Sequence, residues 1–118
     1  MLVDFDQVLV TFEGVPLSDT GKIVTLGRIC GNAVAAAPPD DRSTGEQKHK
    51  RFKLAETAFR GGDVEMSAED VAMFKEWIGK AYAPMVVGQA YEMLEGVRIG
   101  LSIEAAEKQL EADPTVAE

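Results

Sequence analysis

A chain of 118 residues fits one domain and is too short for two ordinary ones. Its 46% hydrophobic and 27% charged residues are typical of a globular protein, which excludes a wholly disordered chain. The formal net charge of −8 disfavours nucleic acid as a partner, because basic residues that neutralise phosphates supply most non-specific affinity.

The apolar stretches and the single cysteine predict a cytoplasmic protein. The first three residues are apolar but are followed at once by Asp4 and Asp6, so we expect no signal peptide. No apolar run approaches the roughly 18 residues of a spanning helix, so we expect no membrane association. Cys30 stands alone, which rules out an intrachain disulfide and fits a reducing compartment.

The N-terminal part of the chain predicts a β-hairpin over residues 7–24. Residues 7–12 are rich in β-branched and aromatic types that alternate between two faces, as in a strand. Turn-forming residues follow, and residues 22–24 can return as a short second strand. Two strands are marginal alone in water, so we expect the hairpin to pack on helices.

The first helix is predicted over residues 26–36, with Thr25 as its N-cap. Gly27 and Gly31 are four residues apart and therefore form a smooth stripe on this helix. We expect a neighbouring element, or another protein, to approach closely there.

The second helix is predicted over residues 44–60. Glu46 lies three residues after Ser43, which is the spacing of a capping box. Spacings of three and four residues predict the buried face, which consists of Phe52, Ala55 and Phe59.

Two further helices are predicted over residues 68–82 and 84–95. Ser67 is placed to cap the first, and Pro84 suits the first position of the second. The buried stripe of the 68–82 helix consists of Val71, Phe74, Ile78 and Tyr82.

The predicted fold class is α+β, mainly α, with an N-terminal hairpin packed on a bundle of about four helices. We expect residues 1–96 to form a single globular domain. Residues 97–118 are expected to be a C-terminal extension, with a short helix over 103–111 that Ser102 caps and a frayed acidic tail.

Residues that carry chemistry are scarce in this sequence. The only histidine, His49, lies among lysines on the polar side of a helix, and Cys30 lies on an apolar face, where a thiol is inert. One histidine and one cysteine cannot build a structural zinc site, and no glycine-rich phosphate-binding pattern is present. We therefore expect no catalytic, metal-ligating or cofactor-binding residues, no cofactor and no enzymatic activity.

The middle of the chain carries a local excess of positive charge. A solvated helix face, a docking patch for an acidic protein partner and a nucleic-acid contact are all consistent with it. The candidate partner-contact residues are Lys48, Lys50, Arg51 and Lys53.

Five segments of the sequence resemble small acidic proteins encoded in tailed-phage and prophage genomes. They are EGVPL at 13–17, VTLG at 24–27, GEQKHKRFKLA at 45–55, MSAEDV at 66–71 and PMVVGQAYEMLE at 84–95. The resemblance covers about three-quarters of the chain, carries no catalytic motif and implies a viral protein made in bacterial cytoplasm.

This resemblance favours a non-enzymatic role through protein–protein contacts, as an assembly factor or a minor virion component. The partner is then a phage or host protein, and a homo-oligomer is left open. An acidic inhibitor of a host nucleic-acid-binding protein is the first alternative, and a small nucleic-acid-binding regulator is the second.

Overall fold

The computed structural model describes residues 1–112, which form helices and short strands. The order of elements confirms the predicted class, α+β and mainly α with a small hairpin near the N-terminus. The elements are β1 (Leu2–Asp4), β2 (Ser18–Asp19), β3 (Lys22–Ile23), α1 (Leu26–Ala35), α2 (Gly45–Arg60), β4 (Asp63–Glu65), α3 (Ala68–Ala81), α4 (Pro84–Leu94) and α5 (Ile103–Ala112).

The strands form two small antiparallel sheets. Strand β1 pairs with β4, with Val3 opposite Val64, so the start of the chain lies beside the segment that follows α2. Strand β4 follows shortly after the end of α2. Its pairing with β1 is not predicted, because the two strands are only three residues long and far apart in the chain.

The predicted hairpin over residues 7–24 is present in a shorter form. Regular pairing is confined to β2 and β3, and residues 7–12 form only isolated bridges. The turn between β2 and β3 has positive φ at Thr20 (50°) and Gly21 (79°), as a type I′ turn requires.

Residues 7–12 are not a regular strand because two different segments hydrogen-bond to the same residue. The N–H of Leu9 donates to the carbonyl of Val24 at 2.9 Å, whereas its carbonyl accepts from the N–H of Leu17 at 2.8 Å. This arrangement takes the place of a two-strand ladder between residues 7–12 and 22–24.

The predicted glycine stripe of α1 is in contact with α2. A Cβ added at Gly27 would overlap the carbonyl oxygen of Ala58, and one at Gly31 would lie 2.6 Å from the ring of Phe59. The close neighbour is therefore an element of the same chain. Thr25 caps α1 as predicted, accepting from the N–H of Arg28 at 3.1 Å.

The capping box of α2 lies one residue later than predicted. Thr44 and Gln47 exchange side-chain to backbone hydrogen bonds of 3.1 and 2.8 Å, in place of Ser43 and Glu46. The hydroxyl of Ser43 instead accepts from the guanidinium of Arg51 at 2.9 Å. The predicted helix over 44–60 therefore begins at Gly45.

The predicted buried face of α2 is wrong for two of its three residues. Phe52 is 56% exposed and Phe59 is 53% exposed, whereas Ala55 is buried. The helices meet closely where Gly27 lies against the Ala58 carbonyl, and the Phe59 ring covers Gly31 at the edge of this contact, so that about half of Phe59 stays in water. The inward side chains of α2 are Arg51, Leu54, Ala55 and Ala58.

Helices α3 and α4 form where the sequence predicts. Ser67 caps α3 by accepting from the N–H of Asp70 at 3.1 Å, and Pro84 lies at the start of α4. Phe74 is fully buried and meets Phe5 edge to face, with 5.8 Å between ring centroids. The two helices are joined where Tyr91 donates to the Lys75 carbonyl at 2.7 Å.

Residues after α4 return to the N-terminal segment. Val8 and Leu101 exchange backbone hydrogen bonds of 2.7 and 3.0 Å, and Ala106 of α5 is fully buried. Ser102 accepts from the N–H of Ala105 at 3.1 Å, as expected for the cap of this helix. The division of the chain at residue 96 stays a prediction, and the predicted frayed tail lies outside the described residues.

Candidate protein-binding face

The structure separates the four candidate contact residues of α2. Lys48 and Lys53 are exposed, whereas Lys50 is directed to the first turn of α3, where its Nζ lies 3.1 Å from Glu69 and 3.6 Å from Asp70. The hydrogen bond to Glu69 is the main cause of the raised pKa of Lys50. Arg51 is buried, so the four residues do not form one surface patch.

Arg51 holds the α1–α2 connection in place. Its Nε donates to the Val34 carbonyl at 2.9 Å, its Nη1 to Asp41 at 3.1 Å, and its Nη2 to the Ala36 carbonyl. The guanidinium carbon lies 3.8 Å from the centroid of the Trp77 ring. Because its donors are engaged inside the chain, Arg51 acts in folding and is not available to a partner.

The carboxylate of Asp41 is stabilised in its charged form. The hydroxyl and the backbone N–H of Ser43 are the main causes of its lowered pKa, and Arg51 contributes further. The N–H of Ser43 lies 3.0 Å from Asp41 Oδ1. The carboxylate is therefore ionised throughout the physiological pH range.

The exposed side of α2 presents two large apolar side chains. Phe52 and Phe59 are seven residues apart, which places them two turns and about 10.5 Å apart on the same side of the helix. Lys48 is exposed one turn before Phe52 on this side, and Arg60, which directly follows Phe59, is exposed about 100° further round the helix. We call the surface formed by Lys48, Phe52, Phe59 and Arg60 the phenylalanine face.

An apolar groove adjoins the phenylalanine face where the end of α1 meets α2. Its volume is about 240 Å³, and its walls include the ring of Phe52 and the stem of Lys48. Apolar side chains line most of it, and three exposed alanines, which lack bulk, lie on its α1 side. The apolar lining residues are Val34, Ala35, Ala36, Ala37, Phe52 and Ala55.

A second depression lies on the far side of Phe59. It has a volume of about 380 Å³ and includes Lys22 and Asp6 in its lining. Arg28 also lines it and pairs with Asp19 at 3.3 Å, so both cationic and anionic side chains border the phenylalanine face here.

The phenylalanine face carries net positive charge in an otherwise acidic chain. Among the described side chains, neither Lys48 nor Arg60 forms an ion pair. Glu56 is four residues after Phe52 and three before Phe59, so it is exposed between the two rings, but it pairs with Lys53 at 3.4 Å and the two charges cancel. Two uncompensated cations therefore flank the two phenyl rings.

A third exposed phenylalanine lies elsewhere in the chain. Phe12 is 89% exposed in the turn where the N–H of Thr11 donates to the Val15 carbonyl at 2.7 Å. It lines neither depression beside α2. Phe12 therefore offers a matched control for substitutions in the phenylalanine face.

Cys30 and His49 lie in different environments. Cys30 is fully buried in α1, and desolvation raises the pKa of its thiol far above the ordinary value. His49 is exposed on α2. Among the side chains that the structure describes, no three of His, Cys, Asp or Glu are grouped closely enough to hold a metal ion.

None of the helices over the described residues combines the length and apolar character that crossing a bilayer requires.

Sequence reasoning assigned Phe52 and Phe59 to the core and therefore missed this face. The signal that could have found it is the spacing of small residues. Gly27 and Gly31 on one helix, with Ala55 and Ala58 on the next, are typical of two helices that approach closely through their smallest side chains. That contact leaves Phe52 outside it and Phe59 at its edge, with one side of the Phe59 ring against Gly31.

Comparison with models of protein families, with curated proteins and with solved structures finds no match in any of the three. The resemblance to phage and prophage proteins therefore stays a prediction.

Proposed function

We propose that this protein acts through contacts with other proteins and catalyses no reaction. The observation that carries this proposal is the phenylalanine face, which presents two phenylalanines more than half exposed, one of which, Phe52, lines an apolar groove. Exposed large apolar side chains that are grouped together mark interaction sites on proteins. Aromatic and arginine side chains are also the residues that most often dominate binding energy.

The free energy that a partner gains on this face can be bounded from the exposure of the rings. Full burial of a phenylalanine side chain is worth about 1.5–3 kcal/mol. About half of Phe52 and about half of Phe59 are exposed in the free chain, so about half of this burial free energy is still available from each of them. Covering both rings therefore contributes about 1.5–3 kcal/mol, a factor of roughly ten to a hundred in affinity.

The resemblance to phage and prophage proteins supplies the biological setting of the proposal. In that setting the protein is an assembly factor or a minor virion component that works in the bacterial cytoplasm or in the virion. The net charge of −8 supports an alternative, an acidic inhibitor of a host nucleic-acid-binding protein. Direct nucleic-acid binding is less well supported, because Lys50 and Arg51 are engaged within the chain.

Affinity capture with matched variants tests the proposal. The baits are the unaltered chain, a Phe52→Ser/Phe59→Ser double variant and a Phe12→Ser control, each produced in cells that carry the phage or prophage. We expect a protein captured by the unaltered chain and by the control to be lost from the double variant. Capture of the same proteins at the same yield by all three baits would contradict the proposal.

The identity of the captured protein separates the two roles. A capsid or tail protein supports assembly, whereas a host protein that binds nucleic acid supports interference. Thermal melting of all three baits provides the folding control, because a double variant that no longer unfolds cooperatively would lose partners for a trivial reason.

A further inference from the structure

We propose that the phenylalanine face binds an acidic amphipathic helix of the partner protein. This inference rests on the proposed function and deepens it by naming the chemistry of the partner. It follows from the spacing of the rings, from the groove beside them and from the charge of the face.

The shape of the face fits a helix. The two rings are about 10.5 Å apart along α2, which is the spacing of apolar side chains at positions i and i+7 of a facing helix. The groove at the end of α1 offers an apolar floor through Val34 and Ala55. The exposed alanines beside it let the backbone of a docked helix approach closely.

The charge of the face selects an acidic helix. Lys48 and Arg60 are twelve residues apart, about 18 Å along α2, so carboxylates near both ends of a helix of three to four turns can meet them. The whole chain has a net charge of −8, so the surface outside the face is negative and repels an acidic partner in other orientations. Local attraction combined with general repulsion favours one docking geometry.

A second copy of the chain fits this face less well. Two copies that meet through it would bring their unpaired cations together, and like charges in a contact disfavour association. Self-association through this face would therefore overturn the inference.

Titration of the labelled protein with synthetic peptides, followed by ¹H–¹⁵N NMR, tests the inference. The probe is a helical peptide of about 18 residues with leucines along one side and glutamates on the other. Two comparison peptides carry lysine in place of each glutamate, or serine in place of each leucine. We expect the acidic peptide to shift the amide signals of Lys48, Phe52, Phe59 and Arg60, and to bind at least about tenfold more tightly than either comparison peptide.

Three protein variants locate the contact. Phe52→Ser/Phe59→Ser should abolish the shifts, Lys48→Glu/Arg60→Glu should weaken binding by about tenfold or more, and Phe12→Ser should change nothing. Equal binding of the acidic and basic peptides, shifts confined to other residues, or no shift at about 1 mM peptide would each overturn the inference. Sedimentation velocity should show a monomer; a dimer that the double phenylalanine variant abolishes would assign the face to a second copy.

The acidic-helix inference and the proposed function can be refuted independently of each other. Capture that is lost with Phe52→Ser/Phe59→Ser but kept with Lys48→Glu/Arg60→Glu would refute the acidic helix while supporting a protein partner. Capture that is unaffected by both variants would refute the proposed function itself.

Discussion

Truncation of one buried and one exposed phenylalanine tests which side of α2 and α3 forms the core. Phe74→Ala and Phe52→Ala remove the same atoms, but Phe74 is fully buried against Phe5, whereas Phe52 is 56% exposed. The loss of transfer free energy together with the cavity left behind predicts a cost of about 3–5 kcal/mol for Phe74→Ala. Phe52→Ala should cost less than about 1 kcal/mol, because its ring is mostly in water already.

These magnitudes are large enough to separate the two variants clearly. For a domain of this size, about 3–5 kcal/mol corresponds to a fall in Tm of roughly 10–20 °C. Urea unfolding followed by circular dichroism and by the fluorescence of Trp77, the single tryptophan, gives both free energies. A loss for Phe52→Ala equal to that for Phe74→Ala would refute the exposed position of Phe52 and with it the phenylalanine face.

Three further predictions concern groups buried within the chain. Arg51→Lys should lower the free energy of unfolding by about 2 kcal/mol or more in urea titrations, because lysine cannot reproduce the planar set of donors. Asp41→Asn should be less stable than the unaltered chain from about pH 5 to pH 8, because the lowered pKa of Asp41 shows that its ionised form stabilises the fold. The difference in free energy of unfolding should shrink as pH falls below about 4, where the carboxylate of the unfolded chain becomes protonated. A difference that is independent of pH in urea titrations would refute this. Cys30 should react with a thiol reagent only after unfolding, and stoichiometric labelling of the folded chain at pH 8 would show that it is accessible.

The helices were predictable because their signals are local. Ser67 and Pro84 mark the starts of α3 and α4 through side-chain and backbone chemistry that acts within one turn. The same holds for Thr25 at α1. The capping box of α2 begins one residue later than predicted. Ser43 fits the pattern equally well, but its hydroxyl accepts a hydrogen bond from Arg51, eight residues further along the chain.

The inward side of α2 could not be chosen from its own sequence. The stripe of Phe52, Ala55 and Phe59 and the stripe of Leu54, Ala55 and Ala58 both have helical spacing. The choice depends on α1, where Gly27 meets the Ala58 carbonyl and Gly31 meets one side of the Phe59 ring.

The burial of Arg51 could not be predicted either. A sequence of Lys48, Lys50, Arg51 and Lys53 is typical of a solvated helix face. Arg51 is drawn inside by partners that the fold brings together, namely the Val34 carbonyl, Asp41 and the ring of Trp77. The pairing of β1 with β4 is non-local in the same sense.

The central claim, that this protein works through the phenylalanine face, is tested most directly by photo-crosslinking in phage-bearing cells. The photoreactive residue p-benzoylphenylalanine replaces Phe59 in one chain and Phe12 in another, so that both probes are exposed and only one lies in the face. We predict a single discrete adduct with one protein from position 59 and none from position 12. Adducts of the same kind from both positions, or none from position 59, would contradict the claim.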